Sequence, residues 1–137
     1  MQEILIDTNV ILRLFDTTSA PAQTAKVKRL FKAAHSGKLE LIIAPPALFE
    51  VAWVLRSALK WSNGETLDVL EAIISWSGVR VLDKARVKAA LFLGRRHNCG
   101  FADSYLAATA KENQWEVATF DEHHFKALDV VLYGINV

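Results

Sequence analysis

Near its N-terminus the chain reads Ile4-Leu5-Ile6-Asp7-Thr8-Asn9, a short apolar run followed at once by a carboxylate. The run is too short for a helix and an amphipathic segment follows it, so the pattern predicts a buried parallel strand. Open α/β sheets form their sites at the carboxyl ends of the strands. We therefore expect the carboxylate of Asp7 to lie at the edge of a sheet where a site forms.

The composition is that of a globular protein. The 137 residues are 52% hydrophobic and 23% charged, which fits one domain with a sizeable core over residues 1–137 and excludes disorder. Sixteen basic and fifteen acidic residues give a net charge of +1, which argues against nucleic-acid binding by bulk charge alone. Local binding of RNA stays open, because bound metal would offset several of the acids.

Cysteine content and hydropathy predict a cytoplasmic location. The single cysteine, Cys99, cannot form an intramolecular disulfide, which suits a reducing compartment. Asp7 and Arg13 interrupt any signal-peptide pattern at the N-terminus. The most apolar region, residues 39–55, contains two glutamates and two prolines, so we expect no membrane span.

Strand-like and helical patterns alternate along the chain. The strand-like runs are residues 3–6, 39–44, 79–82, 116–120 and 130–133. Helical patterns begin at Pro21, at Pro45, after Asn63-Gly64, after a capping Asp83, and at residue 101 or 102, the last of them running to Asn113. This alternation predicts an α/β fold with a mostly parallel sheet covered on both faces and right-handed crossovers.

Four acids occupy positions that should converge on one edge of this sheet. Asp7 ends the first strand, and Asp121 follows the fourth. Glu50 lies in the first turns of the helix that begins at Pro45, and Asp103 lies in the first turn of the helix that ends at Asn113. Because strand ends and helix starts gather at the same edge of a parallel sheet, we expect the four carboxylates to lie together.

A carboxylate cluster of this kind predicts a metal-dependent phosphodiesterase. Hydrolysis of a phosphodiester requires a nucleophilic water and a stabilised, highly charged transition state, and bare carboxylates would repel the phosphate. Mg²⁺ or Mn²⁺ reverses that repulsion, and these ions take oxygen ligands. Clustered acids repel one another without metal, so we also expect metal to stabilise the protein.

Three of the four acids also have an ordinary structural explanation, and Asp7 is the hardest to explain in that way. Asp103 in a first turn could serve only the helix dipole. Asp121 could cap a short helix that includes Phe125 and Leu128. Glu50 could be a solvated helix residue, although its helical neighbours Trp53 and Val54 make its face poorly solvated.

The segments that carry these acids resemble the PIN-domain ribonucleases, and most closely the VapC toxins of type II toxin–antitoxin systems. Besides Glu50 after its proline-led helix start, the matching segments are Ile6-Asp7-Thr8-Asn9-Val10, Phe101-Ala102-Asp103-Ser104-Tyr105-Leu106-Ala107-Ala108-Thr109-Ala110 and Ala118-Thr119-Phe120-Asp121. They occur in the family's order and spacing over nearly the whole chain.

The resemblance implies a fold, a site and partners. The fold would be a three-layer α/β/α sandwich whose mostly parallel central sheet has four to five strands. The site for Mg²⁺ or Mn²⁺ would be formed by Asp7, Glu50, Asp103 and Asp121, with Asn9 and Thr119 supporting the carboxylates. The implied activity is endoribonuclease cleavage of RNA, by a homodimer that a cognate antitoxin inhibits.

The chain departs from the family's pattern after Asp121, where it reads Glu122-His123-His124-Phe125 and is one residue longer. Adjacent histidines on a loop rarely both reach one ion, and imidazole suits Zn²⁺ better than Mg²⁺. We therefore expect His123 and His124 to be solvated or to contact RNA, and not to bind the metal.

Basic and aromatic residues outside the acidic positions have two interpretations each. A solvated helix face is the simpler account of one basic set, and a phosphate-binding surface is the alternative. That set is Lys84, Arg86, Lys88, Arg95 and Arg96.

Of Trp53, Trp61 and Trp76, we expect one or two to pack in the core and the remainder to meet a partner.

Three other functional classes compete with a toxin nuclease. Haloacid-dehalogenase-type enzymes also place an Asp after the first strand, but they need a second Asp where this chain has Asn9. A non-catalytic RNA-binding or dimerising module would be expected to lack some of the four acids. A PIN-type nuclease in RNA processing, outside a toxin–antitoxin system, is the strongest alternative.

Overall fold

The computed structural model describes residues 1–16 and 18–135. Within them the strands are β1 (Gln2–Leu5), β2 (Leu39–Ile43), β3 (Val79–Val81), β4 (Val117–Ala118) and β5 (Leu132–Tyr133). The helices are α1 (Thr8–Leu12), α2 (Pro21–His35), α3 (Pro45–Ser57), α4 (Asn63–Ser75), α5 (Lys84–His97), α6 (Phe101–Asn113) and α7 (Glu122–Ala127). No helix in these two ranges is both long enough and apolar enough to cross a membrane.

The strands pair in parallel, as the alternation of elements predicts. β2 lies between β1 and β3, with Leu41 opposite both Ile4 and Val79. β4 and β5 form a separate parallel pair in which Val117 is opposite Leu132. The α/β class is thus confirmed, and the arrangement is compatible with a three-layer sandwich.

The five strands form two sheets in the described residues, where one central sheet of four to five strands was expected. β4 is only two residues long, so it offers few backbone groups for a second partner. Its Val117 donates its N–H to the carbonyl of Val131 at 2.8 Å, on the side of β5. The side chains of Leu5 on β1 and Phe120 after β4 are 67% and 84% exposed, so neither strand end is covered by the other.

Local signals account for most helix starts. Pro45 occupies the first turn of α3, where its missing N–H costs nothing. Ser62 and Glu65 form a capping box at the start of α4. Asp83 does lie at the N-cap of α5, but it adopts a left-handed conformation and its side chain accepts none of the helix's described N–H groups, so its predicted capping role is wrong.

The core lies between the three-stranded sheet and the helices packed on it. Its fully buried side chains include Leu41 and Ile43 of β2 and Leu48 and Leu55 of α3. Helices α5 and α6 approach closely at Gly94, where an added Cβ would lie 3.0 Å from the carbonyl oxygen of Cys99. This close packing fixes the start of α6, which carries Asp103.

The tryptophans divide between core and surface. Phe15 packs edge-on against Trp61, with ring centroids 6.2 Å apart, and stacks on Trp76 at 6.3 Å. Both tryptophans are partly buried against the core, as expected for one or two of them. Trp53 on α3 is 69% exposed.

The basic residues of α5 are partly engaged in ion pairs. Arg86 contacts Glu112 at 2.9 Å. Arg95 contacts both Asp68 and Glu71 of α4 at 2.7 Å, and these two carboxylates raise the pKa of its guanidinium. The solvated-face interpretation is favoured for these two arginines, because their charges already have partners within the chain.

Candidate metal and catalytic site

Asp7 lies between β1 and α1, where the sequence pattern predicts it. It occupies the N-cap of α1 in an extended conformation, and its Oδ1 accepts the N–H of Val10 at 3.2 Å. The cap satisfies one of the N–H groups that a helix start leaves unpaired. The carboxylate is thereby held in place while its exposed side keeps a free lone pair for a ligand.

Glu50 is held by a residue of the first helix. The hydroxyl of Thr8 donates to Oε2 of Glu50 at 2.8 Å. Because Thr8 directly follows Asp7, this bond brings the start of α1 beside α3. Glu50 also lines a groove of 440 Å³ that includes Asp103, and the other walls are formed by Phe49, Trp53, Arg56 and the start of α6.

Three further side chains gather where α6 and α7 begin. Nδ1 of His124 lies 3.5 Å from Oδ2 of Asp103 and 3.4 Å from Oδ2 of Asp121. One ligand atom from each of the three residues lies within 4.8 Å of the others. Asp103 is in the first turn of α6, as predicted, so the helix dipole also favours its charge.

The backbone around Asp121 is fixed by hydrogen bonds. Asp121 is the N-cap of α7, and its Oδ1 accepts the N–H of His124 at 3.3 Å. The hydroxyl of Thr119 accepts the N–H of Asp121 at 2.9 Å. Asp121 therefore caps α7, which is one of the roles considered from the sequence, and it also belongs to the group with Asp103 and His124. Thr119 contacts Asp121, the residue that it is expected to support.

The predicted residues are therefore brought together in two groups. Asp103 and Asp121 form one group with His124, and Glu50 shares the groove with Asp103. Asp7 precedes Thr8, the residue that bonds Glu50, and it is not part of the closely spaced group of three. Asn9 contributes a backbone carbonyl, which accepts the N–H of Arg13 at 3.1 Å, and the support expected from its side chain stays a prediction.

Sequence reasoning missed Thr8 as a contact of Glu50 and did not place His124 beside Asp103 and Asp121. Thr8 gave no signal of its own, because its partner is 42 residues away. A signal for His124 was present, since it lies three residues after a capping Asp and such residues share one face of a helix.

The charge of Asp103 affects its surroundings. Cys99 is buried, and burial raises the pKa of its thiol, with the negative charge of Asp103 as a smaller cause. The thiol is therefore neutral at physiological pH. A reactive cysteine needs a lowered pKa, so the raised pKa favours a structural role for Cys99.

The donor set fits a divalent metal. Two carboxylates and one imidazole converge, and such oxygen and nitrogen ligands suit first-row divalent ions. Asp103 and Asp121 would hold the ion, which would supply Lewis acidity and neutralise phosphate charge.

The sequence profile of the PIN domain matches residues 4–131. The chain belongs to the PIN-domain family. PIN domains are generally metal-dependent nucleases, which agrees with the ligand chemistry of the group at α6 and α7.

Two solved structures are similar to this PIN domain. FitAB bound to an IR36 DNA fragment is 22% identical, with 95% of this chain and 93% of that chain covered and a TM-score of 0.39. FitAcB from Neisseria gonorrhoeae is 24% identical, with 96% of each chain covered and a TM-score of 0.32. Among curated proteins, none matches the chain significantly.

Proposed function

We propose that this PIN domain is a metal-dependent endoribonuclease, the toxin of a type II toxin–antitoxin pair, which hydrolyses RNA phosphodiester bonds with Mg²⁺ or Mn²⁺. The observation that carries the proposal is the convergence of Asp103 and Asp121 on one point beside the groove lined by Glu50. The family match and the VapC-like motifs support the same function.

The acidic residues would have different roles. Asp103 and Asp121 hold the ion, and Thr119 keeps the backbone of Asp121 in position. Glu50, which Thr8 orients, accepts a proton from the attacking water or assists in metal binding. Asp7 adds a carboxylate at the start of α1, where the N–H of Val10 limits its movement.

The groove beside the acids suits a single-stranded segment. Trp53 lies one helical turn after Glu50, and its exposed ring can stack on a base. With a net charge of +1 the chain has little bulk attraction for RNA, so contacts at this groove and the metal would supply most of the affinity.

The proposal includes two protein partners, a cognate antitoxin and a second copy of the chain. Both follow from the resemblance to VapC toxins. Large exposed apolar side chains at Trp53, Phe92 and Leu106 offer surface on which such partners could bury area.

The test is RNA cleavage by the purified chain, freed of any partner, in Mg²⁺ or Mn²⁺. We expect discrete fragments from a mixed RNA pool, and their loss with a chelator, with Asp103→Asn and with Asp121→Asn. Asp129→Asn is the matched control, because Asp129 is an exposed acid in a left-handed conformation that Asn adopts readily. Full cleavage by folded Asp103→Asn would contradict the assignment.

The toxin role needs a separate measurement. Expression without a partner should arrest growth for the natural chain and not for Asp103→Asn. Cleavage in vitro without growth arrest would favour the alternative, a PIN nuclease in RNA processing.

A further inference from the structure

His124 differs from its neighbour His123 in how the fold holds it. Its side chain is 34% exposed and its ring lies 6.1 Å from that of Phe125, whereas His123 is exposed. Phe125 is buried and anchors α7 to the core. The backbone N–H of His124 is also bonded to the carboxylate of Asp121. Its ring position is therefore set by the packing of α7.

The contacts of Nδ1 are spaced like those of a metal ligand. The distances of 3.5 Å to Asp103 and 3.4 Å to Asp121 exceed the roughly 2.7–3.2 Å of a hydrogen bond. Around an octahedral ion with bonds of about 2.1 Å, adjacent ligand atoms lie about 3 Å apart. Nδ1 of His124 is within about 0.5 Å of that spacing from each of the two carboxylate oxygens, and the three ligand atoms all lie within 4.8 Å of one another.

We propose that His124 is the third protein ligand of the metal held by Asp103 and Asp121, and that its imidazole makes the site favour Mn²⁺ over Mg²⁺. The inference rests on the proposed metal-dependent function. Imidazole nitrogen binds first-row transition ions well, whereas Mg²⁺ favours carboxylate, carbonyl and water oxygens. Two carboxylates alone would discriminate less between the two ions.

The first test is spectroscopic and independent of cleavage. Mn²⁺ bound to the full chain should show a coupling to ¹⁴N in pulsed electron paramagnetic resonance, and the coupling should disappear in His124→Asn. Asn is the chosen variant because its Oδ1 can lie near the position of Nδ1 and supplies a neutral oxygen ligand. His123→Asn is the matched control and should keep the coupling.

The second test is affinity. Calorimetric titration should show Mn²⁺ binding weakened about tenfold or more by His124→Ala, in the range known for groups that tune metal sites. Mg²⁺ binding should fall less, and His123→Ala should change neither affinity. Circular dichroism and thermal unfolding without metal should be unchanged, which shows that the variant is folded.

Failure of this inference is distinct from failure of the proposed function. Metal-dependent cleavage that requires Asp103, with no nitrogen coupling, would overturn the role of His124 alone. Nitrogen coupling that is lost in His124→Asn, without cleavage of any RNA, would support the ligand role and leave the nuclease without support. Equal Mn²⁺ affinity in His124→Ala and the natural chain would overturn the inference.

Discussion

Thr8 and Glu50 are 42 residues apart in sequence, and the hydroxyl of Thr8 donates a 2.8 Å hydrogen bond to Oε2 of Glu50. The bond connects α1 with α3 at the groove. Because Thr8 is adjacent to Asp7, the same bond connects Glu50 to the helix start that Asp7 caps. Glu50 thereby has one oxygen engaged and the other available.

Loss of this bond should lower cleavage without unfolding the protein. We expect Thr8→Val to reduce the single-turnover rate of RNA cleavage by about tenfold, since supporting groups of this kind typically contribute ten- to a hundredfold. Thr8→Ser keeps the hydroxyl and should retain most of the rate. A Thr8→Val protein as fast as the natural chain would show that Glu50 needs no orientation.

Two substitutions of Asp7 should distinguish its role as a helix cap from its role in RNA cleavage. Asp7→Asn keeps an acceptor for the N–H of Val10, so the free energy of unfolding should change little, while Asp7→Ala should lose about 1 kcal/mol with the cap. Both variants should lose RNA cleavage, because each removes the charge. Urea unfolding and cleavage assays on the same preparations check this, and an active Asp7→Asn would mean that only the cap matters.

Substitution by alanine at two glycines should change the stability of the protein in opposite directions. Gly78 has a φ of +86°, and an added Cβ would lie 2.3 Å from the carbonyl oxygen of Ala34, so Gly78→Ala should destabilise by more than about 1 kcal/mol. At Gly64 in α4 an added Cβ meets no described atom within 4 Å, and Gly64→Ala should stabilise by about 0.5–1 kcal/mol. Thermal unfolding measures both, and equal effects would contradict the backbone argument.

Cys99 should make stability fall at alkaline pH. Burial, and to a smaller extent Asp103, raises the pKa of its thiol above the ordinary value of 9.0. The folded chain therefore keeps the thiol proton to a higher pH than the unfolded chain does. The contribution of the neutral thiol to the free energy of unfolding is complete below the pKa of the unfolded chain, and it is lost as the pH rises through the pKa of the folded chain.

Cys99→Ala lacks this titration. The difference in free energy of unfolding between the natural chain and the variant should therefore shrink as the pH rises above the ordinary thiol pKa of 9.0. Denaturant unfolding at several pH values provides the measurement. A constant difference would show that the thiol titrates alike in both states.

The positions of the elements could be predicted because their signals are local. Proline at the start of α2 and α3 and the capping box of α4 act within a few residues, and α1 follows an apolar run that ends near Asp7. The division of the strands into two sheets could not be predicted, since it depends on which edges meet in space. The same holds for the contact between Thr8 and Glu50.

The left-handed backbone of Asp83 is another tertiary effect. A sequence pattern favours Asp as a cap there, but the conformation at the join of β3 and α5 turns the side chain away from the role. The position of His124 is a tertiary effect as well. It lies beside Asp103 because of where α7 is placed relative to α6, which spacing along the chain does not reveal.

The unequal burial of the tryptophans gives the chain two separate optical reporters. Trp61 and Trp76 pack around Phe15 and will report on unfolding through a red shift of their emission. Trp53 lines the groove with Glu50 and Asp103, so a base stacked on its ring will quench it, while the emission of Trp61, Trp76 and the exposed Trp115 stays unchanged. The difference in emission between the natural chain and Trp53→Phe then gives the groove signal alone, and the variant by itself reports loss of the fold.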